Sequence, residues 1–205
     1  MSVGVKICGI TNVADAIAAV EAGADVIGFV FAASPRRVTP DEVRDIAAAL
    51  PEGVLKAGVF VDEDPTVVED IAALCGLDLL QFHGSETPKY CARFGERAVK
   101  AVRVKDSSSL RGLERYNVSA LLLDTYFPGQ PGGTGRTFDW KIAAKAAGAG
   151  SIILSGGLTP ENVTAAVRAV RPAMVDVSSG VETSPGLKNP AMMRRFVINA
   201  KKEVS

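Results

Sequence analysis

Short apolar runs alternate with segments of helical periodicity along the whole chain. The apolar runs have the length of β-strands and lie at residues 3–8, 26–31, 54–61, 77–82, 98–104, 120–123, 152–154 and 174–177. Each run is followed by a segment with the spacing of a helix, at residues 13–22, 40–50, 65–74, 87–94, 108–115, 140–147, 160–170 and 190–202. This pattern predicts eight consecutive strand–helix pairs.

Capping signals mark the ends of the predicted helices. A side chain able to cap a helix precedes a proline at Thr39-Pro40, Asp64-Pro65, Thr159-Pro160 and Asn189-Pro190. Proline suits the first helical position because the N–H that it lacks would have no helical partner there. Thr39 and Glu42 also fit a capping box. Glycines that can adopt the left-handed conformation stand at the expected helix stops, at Gly23, Gly53, Gly76, Gly95 and Gly148.

The strands are apolar on both faces, which is typical of a parallel sheet covered by helices. Eight right-handed repeats can close into a barrel or spread into a doubly wound sheet. A doubly wound sheet usually carries a Gly-x-Gly-x-x-Gly turn after its first strand, whereas this chain has Cys-Gly-Ile-Thr-Asn at residues 8–12. We therefore predict an α/β fold: a (β/α)8 TIM barrel of minimal length, one domain over residues 1–205, with its active site at the C-terminal ends of the strands.

Composition narrows the possible partners. The 23 basic and 23 acidic residues balance, so no net field attracts nucleic acid or an anionic membrane. No apolar run approaches the roughly 20 residues that span a bilayer. Three cysteines, an odd number, and no basic, apolar leader favour a reducing compartment, so we expect a cytoplasmic protein.

The last two predicted strands both end in small residues. One strand leads into Ser155, Gly156 and Gly157, and the next leads into Ser178, Ser179 and Gly180. Glycine exposes backbone N–H groups and serine adds hydroxyl donors, so the pair of loops can hold a phosphate by main-chain dipoles. Either loop alone could be an ordinary turn, but the last two loops of a (β/α)8 barrel usually form its phosphate site.

Two strand ends carry groups suited to proton transfer. Cys8 ends the first strand, where its thiolate can act as a base or nucleophile, although most free cysteines are simply small buried hydrophobes. Asp124 follows four apolar residues, where a carboxyl group either hydrogen-bonds a turn or donates a proton. The glycine-rich segment behind Asp124 has the composition of a loop that closes over a substrate.

Other polar residues near strand ends have weaker signals. Of Arg36 and Arg37, at least one is expected to face solvent, and the other can bind a substrate carboxylate. His83 is the single histidine, and a lone histidine is more often structural than catalytic. The cysteines lack paired spacing and there is no second histidine, so we expect no metal and no cofactor. These parts suit acid–base isomerisation of a phosphorylated sugar.

A set of motifs lies at the predicted strand ends and in the loops that follow them: Lys-Ile-Cys-Gly-Ile-Thr-Asn (6–12), Gly-Phe-Val-Phe (28–31), Ser-Pro-Arg (34–36), Gln-Phe-His-Gly (81–84), Leu-Asp-Thr (123–125), Gly-Thr-Gly-Arg-Thr-Phe-Asp-Trp (133–140), Leu-Ser-Gly-Gly-Leu (154–158), Asn-Val (162–163) and Asp-Val-Ser-Ser-Gly-Val-Glu (176–182). Taken together, these motifs resemble the phosphoribosylanthranilate isomerase family of tryptophan biosynthesis. The resemblance implies conversion of N-(5-phosphoribosyl)anthranilate to the carboxyphenylamino-deoxyribulose phosphate by an Amadori rearrangement.

The resemblance also implies roles for particular residues. Cys8 matches the general base and Asp124 the general acid, while the loops at Gly156, Gly157 and residues 178–180 match the phosphate site. The remaining matches are expected to bind substrate, with Arg36 on the anthranilate carboxylate and Asp176 near the sugar hydroxyls. Gln81 and His83 are also expected to bind substrate, although the role of His83 does not follow from its chemistry. The implied partner is the phosphorylated sugar–anthranilate substrate. We expect a monomer or a homodimer.

Arg136 and Arg37 depart from the family pattern, in which lysine is common at the first position and an aromatic or small residue at the second. Both keep their loops basic, so they bear on affinity and loop closure. Pentose-phosphate epimerases and the related histidine-pathway isomerase are rival enzymes, but the former generally use metal-binding histidines and the latter two aspartates. A module that only binds a phosphorylated metabolite would need the glycine loops but not Cys8 opposite Asp124.

Overall fold

The computed structural model describes residues 2–125 and 139–202, and in this part of the chain eight parallel strands form a closed barrel. The barrel strands are β1 Gly4–Cys8, β2 Val26–Val30, β3 Leu55–Phe60, β4 Leu79–Phe82, β5 Ala98–Val104, β6 Ala120–Thr125, β7 Ile152–Leu154 and β8 Met174–Val177. Each strand pairs with the next in sequence, and β8 pairs with β1 with Lys6 opposite Asp176. The predicted TIM barrel is confirmed.

Helices connect the strands on the outside of the barrel. They are α1 Val13–Glu21, α2 Pro40–Ala48, α3 Pro65–Cys75, α4 Pro88–Cys91, α5 Trp140–Lys145, α6 Val163–Val170 and α7 Pro190–Lys201. The side chains of Thr39, Asp64 and Asn189 cap α2, α3 and α7, and Thr39 forms the predicted capping box with Glu42. Gly76 ends α3 in the left-handed conformation, as predicted.

Three sequence predictions were wrong in detail. Residues 108–115 do not form an α-helix but two short 3-10 turns, Ser107–Leu110 and Leu113–Arg115, separated by a left-handed Gly112. The helix predicted to start at Pro160, because a capping residue precedes that proline, begins three residues later. A turn comes first, in which the N–H of Asn162 donates to the carbonyl of Thr159. Gly148 does not end α5, which stops at Lys145, but lies inside the 3-10 turn Ala146–Ala149 that follows it.

A small hairpin after β8 was not predicted. Its strands, β9 Glu182–Ser184 and β10 Leu187–Lys188, pair antiparallel and precede α7. They are too short for the alternation that identifies a strand in sequence.

Alternation along the strands creates two apolar clusters. Outward residues such as Ile7, Phe29 and Leu121 pack under the helices. A smaller cluster fills the barrel interior from the opposite strand face, with Val99, Ala101, Ala120, Leu122 and Ile153. Because side chains alternate along a strand, the next inward residues lie at the C-terminal rim. Among the described residues, no helix has both the length and the apolar character needed to cross a membrane.

Candidate active site

A cavity of about 410 Å³ opens at the C-terminal rim of the barrel. Every residue that the sequence nominated for the site lines this cavity, namely Cys8, Arg36, Gln81, His83, Asp124, Gly156, Gly157, Asp176, Ser178, Ser179 and Gly180. Arg37 is exposed and does not line it. Arg136 and the predicted closing segment lie outside the described residues. The structure therefore brings together residues that lie on, or in the loops after, six strands: β1, β2, β4, β6, β7 and β8.

The inward positions of the strands explain this convergence. On β6 the inward Leu122 belongs to the interior cluster, and Asp124, two residues later, lines the cavity. The same step on β7 leads from Ile153 to Ser155. The period of two that packs the barrel thus presents the final inward residue of each strand to the cavity.

A buried ion pair lies beside Cys8. The ammonium of Lys6, two residues before Cys8, donates to Oδ1 of Asp176 at 2.7 Å, and the hydroxyl of Ser155 donates to Oδ2 at 2.8 Å. Both oxygens of Asp176 are therefore engaged. The carboxylate raises the pKa of Lys6 above its ordinary value, although burial alone would lower it. Lys6 is thus held as an ammonium next to the candidate base.

The thiol of Cys8 is buried at the base of the cavity. Only 7% of the residue is exposed, but it is in contact with the cavity. Burial raises the pKa of Cys8 above the usual 9.0, and Lys6 opposes this shift because its charge stabilises a thiolate. A cysteine in this setting holds its proton until it is needed, and a thiolate formed here is a strong base.

The carboxyl group of Asp124 is held at the end of β6. Its Oδ1 accepts a hydrogen bond of 2.8 Å from the N–H of Thr125. A side chain on Gly156 would collide with Thr125 and lie 2.8 Å from that same oxygen, so only glycine allows the loop after β7 to approach Asp124 so closely. The glycine loop after β7 and the candidate acid are therefore packed against each other.

His83 lies beside Asp124 with one nitrogen free for a ligand. Its Nδ1 is 3.1 Å from the amide nitrogen of Gln81, so Gln81 donates and the neutral ring carries its proton on Nε2. Nε2 is 3.3 Å from Oδ2 of Asp124, but the geometry falls short of a hydrogen bond. Among the described residues this buried nitrogen has no hydrogen-bond partner, which suits it to a substrate oxygen.

The two glycine loops are closely packed. A Cβ on Gly180 would overlap the carbonyl oxygen of Leu158, so the loops after β7 and β8 can touch only because position 180 is glycine. Gly156 and Gly157 both have positive φ, 85° and 68°, which turns the first loop sharply at the cavity. Asn162 holds this loop by donating to the carbonyl of Gly157 at 2.9 Å.

Arg36 is bound on one side by Glu182. Its Nε and Nη2 donate to the two carboxylate oxygens at 2.8 and 2.7 Å, and Lys188 donates to Oε1 of Glu182 at 2.7 Å. Sequence reasoning assigned no role to Glu182 or Lys188. Glu182 is the last residue of the motif at residues 176–182. Lys188 has no comparable signal, because an isolated lysine in a short loop resembles any solvated lysine.

Ser155, from the predicted glycine loop, and Arg103, near the end of β5, also line the cavity. In the described part of the chain, no three His, Cys, Asp or Glu side chains are grouped in a way that would hold a metal ion. The groups that line the cavity include a thiol, a carboxyl group, an imidazole and an arginine beside the two glycine loops. This set can transfer protons on an anionic substrate.

Comparison with known proteins gives a consistent result. Residues 5–199 match the family model described as N-(5'phosphoribosyl)anthranilate (PRA) isomerase. The chain is 52% identical over 198 residues to the N-(5'-phosphoribosyl)anthranilate isomerase of Pelobacter propionicus, covering 96% of this chain and 95% of that one.

Solved structures agree with this match. The phosphoribosyl anthranilate isomerase of Thermotoga maritima superposes with a TM-score of 0.91 at 44% identity, covering 97% of this chain and 98% of that one. A phosphoribosyl anthranilate isomerase solved in complex with reduced 1-(o-carboxyphenylamino)-1-deoxyribulose 5-phosphate superposes with a TM-score of 0.87 at 42% identity and the same coverage.

Proposed function

This chain belongs to the N-(5'-phosphoribosyl)anthranilate isomerase family, and we propose that Cys8 is the general base and Asp124 the general acid of its reaction. The enzyme isomerises N-(5-phosphoribosyl)anthranilate to 1-(2-carboxyphenylamino)-1-deoxyribulose 5-phosphate, a step of tryptophan biosynthesis. The reaction is an Amadori rearrangement. It moves protons and electrons within one molecule, so the residues of the site must supply one acid and one base.

Asp124 acts first, on the furanose ring oxygen. The protonated carboxyl group gives its proton to that oxygen, the bond from the anomeric carbon to the ring oxygen breaks, and the nitrogen lone pair forms an iminium. Its Oδ1 is held by the N–H of Thr125, which leaves Oδ2 for the transfer. Nε2 of His83 lies 3.3 Å from Oδ2 of Asp124 and has no hydrogen-bond partner among the described residues, which supports a role for His83 in binding the hydroxyl that this transfer releases.

Cys8 acts second, on the neighbouring sugar carbon. The iminium acidifies the proton on this carbon, the thiolate removes it, and the electron pair forms an enolamine while neutralising the nitrogen. The enolamine then takes up a proton at the former anomeric carbon and loses the proton of its enol hydroxyl, which gives the ketone. Lys6 supports this step because its ammonium stabilises the thiolate.

The two ends of the substrate are held by different kinds of group. Backbone N–H groups and hydroxyls at Gly156, Gly157 and residues 178–180 bind the phosphate, and Arg36 binds the anthranilate carboxylate. Asp176 has both oxygens engaged by Lys6 and Ser155, so its contact with sugar hydroxyls uses a remaining lone pair. Gln81 contributes by orienting His83.

One observation carries these assignments. Cys8 and Asp124, from β1 and β6, line the same cavity of about 410 Å³ whose rim is formed by the two glycine loops. That volume suits a single small ligand. A thiol and a carboxyl group that shared no cavity would have no substrate in common.

Single-turnover fluorescence tests the proposal, because phosphoribosylanthranilate fluoresces and its loss can be followed directly. Cys8→Ser and Asp124→Asn should each lower the rate of turnover at least about 100-fold, the lower end of what a positioned acid or base contributes. Circular dichroism should show both variants folded. A rate near that of the wild type in either variant removes that residue from its role.

The same assay separates an enzyme from a protein that only binds the substrate. Binding without loss of fluorescence at every pH would support the binding module.

Finally, we propose that the protein works as a monomer or homodimer in the cytoplasm, where its three free cysteines stay reduced. Analytical ultracentrifugation measures the oligomeric state.

A further inference from the structure

Glu182 starts the β9–β10 hairpin, and its carboxylate receives three side-chain hydrogen bonds. Two come from Nε and Nη2 of Arg36, and the third comes from Nζ of Lys188. The side chain of Glu182 is only 4% exposed, so water does little to weaken these bonds. Burial acts to raise the pKa of Glu182, but the bonds from Arg36 and Lys188 hold it below its usual value, so the group is ionised.

The bidentate contact decides how Arg36 meets a ligand. It uses two of the three guanidinium nitrogens, and within the described residues the third, Nη1, has no hydrogen-bond partner. The stem of Arg36 crosses Gly9 so closely that a Cβ there would lie 2.5 Å from Cδ. The guanidinium group and the aliphatic chain of Arg36 are therefore both held in place, so the direction of Nη1 is fixed.

Lys188 restores the charge that Glu182 removes. An arginine paired with a glutamate is neutral overall, but with Lys188 protonated the three groups carry one positive charge. Burial lowers the pKa of Lys188, and the Glu182 carboxylate opposes this. Lys188 also makes two long contacts with Ser178 in the phosphate loop, to its carbonyl oxygen at 3.3 Å and its hydroxyl at 3.4 Å.

The hairpin itself is tied to the first βα loop. The hydroxyl of Thr11 donates to the carbonyl of Gly186 at 2.6 Å, and the N–H of Lys188 donates to Asp15 in α1 at 2.8 Å. Glu182 thus bonds Arg36 from a hairpin that is anchored to the loop after β1. Through Lys188 it is also connected to Ser178, so it lies between the two cavity residues Arg36 and Ser178.

We propose that Glu182 is a positioning residue that directs Arg36 toward the substrate carboxylate and links this contact, through Lys188, to the phosphate loop at Ser178. The proposal rests on the carboxylate-binding role of Arg36 proposed above. It gives Glu182 a role in substrate affinity, with little effect on the chemical step, because Glu182 touches neither Cys8 nor Asp124 among its hydrogen bonds.

A double-mutant cycle tests the link to Arg36. Glu182→Gln keeps the shape of the side chain but is neutral and has only one acceptor oxygen, so it cannot form the charged bidentate contact with Arg36. We expect KM to rise about 10-fold, the effect of losing roughly one charge-assisted hydrogen bond, with kcat changed by less than about 3-fold. Arg36→Met should also raise KM, and Glu182→Gln added to Arg36→Met should raise it by less than about 2-fold more.

Competitive inhibition by inorganic phosphate tests the link to the phosphate loop. Lys188→Met removes both a positive charge and the two contacts to Ser178, so the inhibition constant for phosphate should rise about 2- to 10-fold, as for a lost hydrogen bond of ordinary strength. An unchanged constant would overturn the link through Lys188 to the phosphate loop. Arg36→Met should leave that constant unchanged, since Arg36 is assigned to the other end of the substrate.

Glu161→Gln is the matched control, because Glu161 accepts an arginine bond of the same 2.7 Å from Arg195 but is exposed. It should leave KM, kcat and phosphate inhibition at wild-type values. The inference is overturned if Glu182→Gln leaves KM unchanged, tightens binding, or adds its full effect to that of Arg36→Met. If Arg36→Met itself leaves KM unchanged, the proposed role of Arg36 fails instead.

Discussion

The lower and upper parts of the barrel interior are built by the same strand faces but have opposite chemistry. The lower part is apolar, with Val99, Ala101, Ala120, Leu122 and Ile153 in contact. The upper part, one inward step further along the strands, contains the polar residues of the cavity. Two residues along a strand thus separate a packed core from a reaction site.

This difference shows how the barrel divides stability from function. Apolar side chains low in the barrel gain free energy from burial whatever ligand is present. Polar groups at the rim are partly desolvated by the fold and are stabilised only by partners such as the Lys6–Asp176 pair. The lower part can therefore hold the upper part in place without taking part in chemistry.

The largest expected effect comes from the boundary between the two parts. Lys6→Met leaves the buried Asp176 carboxylate without its ion-pair partner, and breaking such a pair costs about 3–5 kcal/mol. Chemical denaturation measures this loss in the free energy of unfolding. Lys56→Met is the control, since the Lys56–Asp78 pair at 3.2 Å is more exposed and is worth at most about 1 kcal/mol. Equal losses in the two variants would contradict the prediction.

A smaller but still large effect is expected inside the lower part. Leu122→Ala removes a fully buried side chain and leaves a cavity, which costs about 2–5 kcal/mol of unfolding free energy. Turnover per folded molecule should stay within about 2-fold of the wild type at a temperature where the variant is folded. A large drop in turnover without loss of stability would mean that the two parts are not separable.

The smallest effect concerns the upper part alone and is seen in the pH dependence. As a base, Cys8 must be deprotonated before it acts, and burial raises its pKa above 9.0. The rate of alkylation of Cys8 by iodoacetamide, which follows the thiolate alone, should therefore still be rising at pH 9.0. Mass spectrometry of the peptide that contains residue 8 measures this rate, and Cys8→Ser should give no modification there. A wild-type profile that levels off near neutral pH would show that Cys8 is more acidic than its burial implies.

The sequence was least reliable where local signals competed with tertiary contacts. The Thr159-Pro160 pair has the chemistry of a helix start, but α6 begins at Val163 because Asn162 bonds Thr159 and Gly157 and thereby holds the preceding loop in a turn. Residues 108–115 have helical spacing but form 3-10 turns. Eight residues of marginal pattern provide too few backbone hydrogen bonds to define an α-helix by themselves.

The sequence alone determined the barrel and the contents of its rim. Strand length, apolar faces and capped helix starts repeat locally, and the residue that ends each apolar run is necessarily at the rim, so Cys8, Asp124 and the two glycine loops could be read in advance. Only the tertiary structure decided the partners of these residues. Lys6 meets Asp176 across 170 positions and Arg36 meets Glu182 across 146, and a contact made by closing the ring has no periodic trace in the chain.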